Sequence, residues 1–310
     1  MSAGTLPRAI PCTGAPRWPE GISPGRFAST IRTDTPNDCR IGLLGLADDV
    51  GVRLNAGRPG AAGGPVAFRA ALARYATAEP HGFRWPRVFD GGNIEPAEGD
   101  TESALQETHR RVGIATTAIL DAGLFPVAVG GGHDLTYPFA KAVFEHSATG
   151  SARREVVYFD AHLDVREGAG SGMAFRRLVE DCGVSRLHLI GADPFANSAE
   201  HVAWFMAHGG GFVERPPQTE DGAARVVSFD LDCLDGAVAP GVSAINPAGL
   251  SMMQIEPMVR SLGASPSVRS FDIMELCPPH DDQSAVGGRT GRIAARLFLT
   301  FLRGFSERTQ

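Results

Sequence analysis

Short apolar runs alternate with longer stretches of helical spacing along most of this chain. IGLLGLA (41–47), PVAVG (126–130), VVYFD (156–160), LHLIG (187–191), VVSFD (226–230) and VRSFDI (268–273) have the length and β-branched content of buried strands. Between them, 65–76, 101–122, 136–146, 174–182, 197–208, 252–262 and 289–303 place apolar residues three and four apart, as helices do. Pro65 suits a first helical turn. The 101–122 stretch opens on Thr and acidic residues and stops at Gly123, so its start and stop signals agree. Strands apolar on both faces, alternating with helices, predict an α/β fold with a parallel sheet covered on both sides. No repeat or linker divides 41–310, which reads as a single domain. Residues 1–40, rich in Pro, Gly, Ser and Thr, read as an irregular N-terminal arm with Trp18 and Phe27 available to pack.

The polar residues sharpen this picture. Sheets of this kind bind ligands at the carboxyl ends of their strands. Here PVAVG runs into GGHD, VVYFD into AHLD, and VVSFD into LDCLD. Asp160, His162 and Asp164 alternate, so an extended backbone turns them to one side. Asp230 and Asp232 repeat the spacing, with Asp235 beyond, and His133 follows three glycines. Any one of these alone would read as a hydrogen-bonded turn or a solvated loop. Four carboxylates gathered at the ends of buried strands would repel one another unless cations neutralise them. Oxygen donors with two imidazoles suit Mn2+ and exclude a thiolate zinc site. Six ligands exceed what one catalytic ion can take while holding water, so they suit two ions, and two-metal hydrolysis follows as the reaction type.

Composition narrows the setting. The net charge of -6 argues against nucleic acid as a partner. The basic residues are Arg except for Lys141, which leaves planar guanidinium groups to recognise carboxylates. Five dispersed cysteines without a C-x-x-C pair predict reduced thiols and a cytoplasmic location. The N-terminus has no apolar signal core, and no run of about 18 apolar residues predicts a membrane span.

The motifs GGGHD (130–134), DAHLD (160–164) and SFDLDCLDGAVAPG (228–241) resemble the three metal signatures of the ureohydrolases, which include arginases, agmatinases, guanidino-acid hydrolases and formimidoylglutamases. The likeness runs from about residue 40 to 305. It implies a three-layer α/β/α sandwich with an eight-stranded parallel sheet and two Mn2+ per subunit. The ligands it implies are His133, Asp160, His162, Asp164, Asp230 and Asp232. It makes Glu275 of DIMEL (272–276) an active-site carboxylate that holds a cationic amidine, and Asp164 the group that shuttles a proton. The implied chemistry is attack of a metal-bridging hydroxide on an amidine carbon.

Within that family the chain resembles formimidoylglutamases. Gly132 stands where arginases and agmatinases carry Asp, and Ser171 where they carry a proton-transferring His. DDVGVRLNAGRPGA (48–61) and APGVSAINPAGL (239–250) fit the same group. The expected reaction converts N-formimidoyl-L-glutamate and water to L-glutamate and formamide, in histidine degradation. The alternative is another ureohydrolase that releases urea from a guanidino compound: a guanidino-acid hydrolase, agmatinase or arginase. A dicarboxylate substrate needs donors away from the metals. Asn55 and Arg58 are first choices, with Ser171 and Arg176 next; Arg53, Arg166 and Arg177 also flank the motifs. Gly236 departs from the family's usual Pro, and Cys233 reads as buried packing. The resemblance further suggests a homo-oligomer, a trimer or hexamer.

Overall fold

A computed structural model describes residues 10–76, 84–146, 153–218 and 222–308. One sheet of nine strands organises these residues. In chain order the strands are β1 (Thr13–Gly14), β2 (Ile41–Leu46), β3 (Val88–Ile94), β4 (Phe125–Gly130), β5 (Arg153–Phe159), β6 (Arg186–Ile190), β7 (Gly210–Phe212), β8 (Ala223–Asp230) and β9 (Val268–Met274). They lie in the order β1-β3-β2-β4-β9-β8-β5-β6-β7. Eight are parallel; the two-residue β1 adds an antiparallel edge by pairing Thr13 with Ile94 and Gly14 with Asn93. The expected eight-stranded parallel sheet is therefore present, extended by one short strand from the arm.

Helices cover both faces. On one side α2 (Gly64–Leu72), α7 (Met252–Ala264) and α8 (Arg289–Phe305) pack Phe68, Val259 and Phe298 against Val127, Phe229 and Phe271 of the sheet. On the other, α3 (Glu102–Asp121), α4 (Thr136–Glu145) and α5 (Ala174–Cys182) pack Ile119, Val143 and Phe175 against Leu44, Tyr158 and Val226. Neighbouring strand positions such as Val226 and Val227 serve opposite layers, which is why these strands read as unbroken apolar runs. Helix starts carry the expected caps: Thr101 accepts from the Ala104 N–H, and Ser251 forms a capping box with Gln254 on α7.

Besides β1, three elements were not visible as patterns. One is α1 (Val50–Leu54), a single turn and a half; another is β7, which has two glycines in three residues. The third, β3, reads VFDGGNI, and Asp90 and two glycines interrupt its apolar run. Burial of Asp90 is made tolerable by Arg69, whose Nε and Nη2 donate to its two carboxylate oxygens at 2.7 and 2.8 Å. Trp18 Nε1 donates to the same carboxylate at 2.9 Å, and Phe27 is buried against Phe298 and Trp85, so both arm aromatics pack on the domain. Short helix α6 (Ala199–Ala207) flanks β7.

The switch in direction that matters lies between β4 and β9. The chain leaving β4 enters α4 on one face, and the chain leaving β9 enters α8 on the other. A crevice opens at the carboxyl ends of such neighbours.

Candidate metal centre

The four contiguous strands β4, β9, β8 and β5 end at this crevice. After β4, the loop at Gly131 passes against the 48–54 segment; a Cβ at Gly131 would stand 1.7 Å from the Asp48 carbonyl oxygen. The next residues present His133. β5 delivers Asp160, His162 and Asp164, β8 delivers Asp230 and Asp232, and β9 delivers Glu275. Asp164 (φ 48°) and Glu275 (φ 63°) adopt the left-handed conformation that non-glycine residues avoid. Tertiary contacts hold them there: the Glu275 N–H donates to Gly131 O at 2.9 Å, and its Oε1 accepts from the His133 N–H at 2.9 Å.

His133 Nδ1 lies 3.1 Å from Asp160 Oδ2, 3.0 Å from Asp164 Oδ2 and 3.1 Å from Asp230 Oδ2. His162 Nδ1 lies 3.0 Å from Asp232 Oδ2 and 3.4 Å from Asp160 Oδ1. Two ligand groups result, His133–Asp160–Asp164 and Asp160–His162–Asp232, sharing Asp160. Among the described residues, His133 Nδ1 and Asp160 Oδ2 are buried without a hydrogen-bond partner despite facing one another. Orphaned buried donors and acceptors are costly unless something binds them. Here the orphans are an imidazole nitrogen and a carboxylate oxygen turned to one point, which a divalent cation would satisfy. All six residues expected as ligands lie together in this cluster.

The electrostatics say the same. Burial, then the charges of Asp164 and Asp232, push Asp160 up to about 6. Burial, Asp232 and Asp160 raise Asp230 as well. Burial followed by the Asp232 charge pushes Glu275 up to about 8. Burial disfavours the His162 imidazolium, yet its hydrogen bonds to Asp160 and Asp232 outweigh that and push it up to about 12. Burial and mutual repulsion thus oppose the charge on Asp160, Asp230 and Glu275, and a cation among them would favour it.

A cavity of about 150 Å³ opens beside these groups, lined by Asn55, Arg166, Ser171, Gly172 and Ser243 as well as the acids. Asn55 Nδ2 donates to Ser171 Oγ at 2.9 Å. Two other expected substrate contacts are spent elsewhere. Arg58 does not line the cavity: its Nε donates to Ser243 O and its Nη2 to Val242 O, both at 2.8 Å, so it braces the 239–250 loop. Arg176 is also absent from the lining; it pairs with Glu167 and Glu180 at 2.8 and 2.9 Å and stacks over Trp204. Carboxylates within reach on the same helix face and loop claimed its guanidinium. Arg166, ranked below both in the sequence, is the arginine at the cavity, and its side chain lies over Gly172, where a Cβ would approach its Cδ to 2.9 Å.

Loop details follow. Asp235 lies outside the centre, capping the Ala237 N–H at 2.8 Å. The Gly236 N–H donates to Asn246 O at 2.7 Å, a bond that proline could not make. Sequence reasoning missed Ser228 and Asp272, buried residues behind His133; both stand in the quoted motifs, but only tertiary pairing of β8 with β9 makes them neighbours.

Comparison with known proteins agrees with this architecture. A family model described as the arginase family matches residues 40–303. A formimidoylglutamase of Aeromonas salmonicida is 33% identical over 279 residues, covering 83% of this chain and 84% of that protein. One from Nocardia farcinica is 34% identical over 305 residues, covering 91% and 89%. A formiminoglutamase of Trypanosoma cruzi, crystallised with Mn2+, superposes with a TM-score of 0.78 at 28% identity, covering 92% of this chain and 99% of that one.

Proposed function

This chain belongs to the arginase family, and on that premise we propose that it hydrolyses N-formimidoyl-L-glutamate to L-glutamate and formamide at a centre of two Mn2+. One observation carries the substrate assignment: a single cavity has an acidic wall of Asp164, Asp230, Asp232 and Glu275, together with the cation Arg166. A substrate with an amidinium at one end and carboxylates at the other is complementary to it.

When bound, two Mn2+ would supply Lewis acidity and lower the pKa of a bound water. His133, Asp160, Asp164 and Asp230 are disposed around one position, and Asp160, His162 and Asp232 around the other. The buried Oε2 of Glu275 has no hydrogen-bond partner among the described residues, so it is available to an amidinium N–H. Asp164 sits at the cavity wall. It takes the proton of the attacking water and delivers it to the glutamate nitrogen as the carbon–nitrogen bond breaks. Arg166 takes a substrate carboxylate, and the Asn55–Ser171 pair orients the chain between the two ends.

The cysteines are all unpaired, and among the described residues no helix is long and apolar enough to cross a membrane. A cytoplasmic enzyme of histidine breakdown, assembled as a trimer or hexamer, is in keeping with this reading. The test is a substrate panel with Mn2+-loaded protein: formimidoylglutamate, arginine, agmatine and guanidinobutyrate, with products read as formamide or urea. Formamide from formimidoylglutamate is expected. Urea from a guanidine, with formimidoylglutamate inert, would sink the assignment in favour of a guanidino hydrolase.

A further inference from the structure

Behind His133, on the side away from the carboxylates, lies a buried polar chain that the proposed chemistry does not use. His133 Nε2 is 2.9 Å from Ser228 Oγ. Ser228 Oγ donates to Asp272 Oδ1 at 2.5 Å. Thr136 Oγ1 lies 3.2 Å from both Ser228 Oγ and Asp272 Oδ1. Ser228, Asp272 and Thr136 are at most 2% exposed, and Ser228 and Asp272 are directly paired across β8 and β9.

Counting protons sets the direction of the chain. An ionised Asp272 has none to give, and two hydroxyls converge on its Oδ1. The one proton of Ser228 therefore goes to Asp272, which leaves Ser228 Oγ as an acceptor. His133 Nε2 must then be the donor. An imidazole that carries its proton on Nε2 presents a bare lone pair at Nδ1, and Nδ1 is the atom that faces Asp160, Asp164 and Asp230.

We propose that Ser228 and Asp272 are positioning residues, a hydrogen-bond relay that holds His133 as its Nε2–H tautomer with Nδ1 aimed at one of the two ion positions. The inference rests on the two-metal reading above and adds an asymmetry to it. His162 sits in a different setting: it is one-third exposed, and among the described residues no relay of this kind stands behind it. The relay thus serves one ion and not the other. Partners behind a ligating histidine fix ring orientation and raise its basicity, and their loss weakens metal affinity about 10–100-fold.

The experiment titrates chelator-stripped protein with Mn2+ alone and follows free Mn2+ by its room-temperature spin-resonance signal, so activity is not the readout. Wild-type protein should take up two ions. Ser228→Ala should lose affinity about 10–100-fold at one of them, with the second unchanged. Asp272→Asn should weaken the same ion, while Ser228→Thr, which keeps the hydroxyl, should recover it relative to Ala. His162→Ala supplies the contrast by weakening the other ion. Circular dichroism in chelator checks that each variant folds; should Ser228→Ala fail, Asp272→Asn and the Thr variant carry the comparison. Two ions bound by Ser228→Ala and Asp272→Asn with wild-type affinity would overturn the relay while leaving the two-metal reading standing. Equal weakening of both ions would overturn it as well. Wild-type protein that takes up no Mn2+ would defeat the metal reading itself, and the relay with it.

Discussion

At the residue scale, the chain bears like charges where a folded protein would ordinarily avoid them. Asp160, Asp230 and Asp232 are almost wholly buried within one cluster. Their mutual repulsion opposes folding when no cation is present, and relief of that repulsion favours binding one. Asp232→Asn separates these effects. In chelator the variant should melt at or above the wild-type temperature, since one buried anion is gone. Saturating Mn2+, which adds about 2.7 kcal/mol at a hundred times the Kd, should raise the wild-type Tm and leave the variant nearly unmoved. A variant that melts far lower in chelator yet responds fully to Mn2+ would show that Asp232 holds structure and not metal.

At the element scale, the loop after β8 is set by its backbone hydrogen bonds, and Gly236 is the sharpest case. Its N–H donates to Asn246 O, and a Cβ there would meet Ile245 Cγ2 at 2.2 Å. Ile245 is half-exposed and can swing away, whereas the lost hydrogen bond cannot be replaced. Gly236→Pro is therefore expected to cost about 2 kcal/mol or more, and Gly236→Ala clearly less. Denaturant midpoints of the two variants decide it; equal losses would place the whole effect in the Ile245 contact. The same loop carries Ser243, held by Arg58, which explains how an arginine in a substrate-like motif can shape the cavity without lining it.

At the scale of the whole molecule, charge pairs lie at both ends of the sheet but do different things. At the amino-terminal ends of β5 and β8, buried Glu155 accepts from Arg225 Nε and Arg153 Nε, each at 2.8 Å. Burial tends to raise the Glu155 carboxyl, but these hydrogen bonds outweigh it and hold it below the usual glutamate range. A depressed carboxylate stabilises the fold above its unfolded pKa, and that stability is lost as pH falls through the folded pKa. Glu155→Gln should thus cost about 2–4 kcal/mol at neutral pH, and the deficit should shrink below about pH 4. Urea unfolding at pH 7 and pH 3.5 measures both. An equal deficit at the two values would assign the loss to packing instead of charge. At the opposite, carboxyl-terminal ends Asp160 and Asp230 have no such arginine partner among the described residues, and that difference between the two edges marks where cations belong.

Much of this was legible in one dimension. Strands buried on both faces must be apolar throughout, so β2, β4, β5, β6, β8 and β9 stand out, and each leads directly into the residues at its carboxyl end. The D-x-H-x-D and D-x-D spacings and the glycine run before His133 marked the six metal-facing residues, although Asp232 stands in a 3-10 turn and Asp164 at φ 48°, so it is not a continued extended backbone that gathers them. β3 could not, since its apolar run is broken by Asp90, whose burial makes sense only with Arg69 beside it. Substrate contacts were equally hidden. Arg58, Arg166 and Arg176 are alike as letters, and what separates them is which carboxylates and carbonyls lie within reach once the loops are folded. The sequence by itself determined the layers and the acidic edge, because both follow from local periodicity and burial. Only the tertiary structure decided which arginine faces the cavity and which hydroxyl stands behind His133, because long-range neighbours claim hydrogen-bonding groups that no local pattern records.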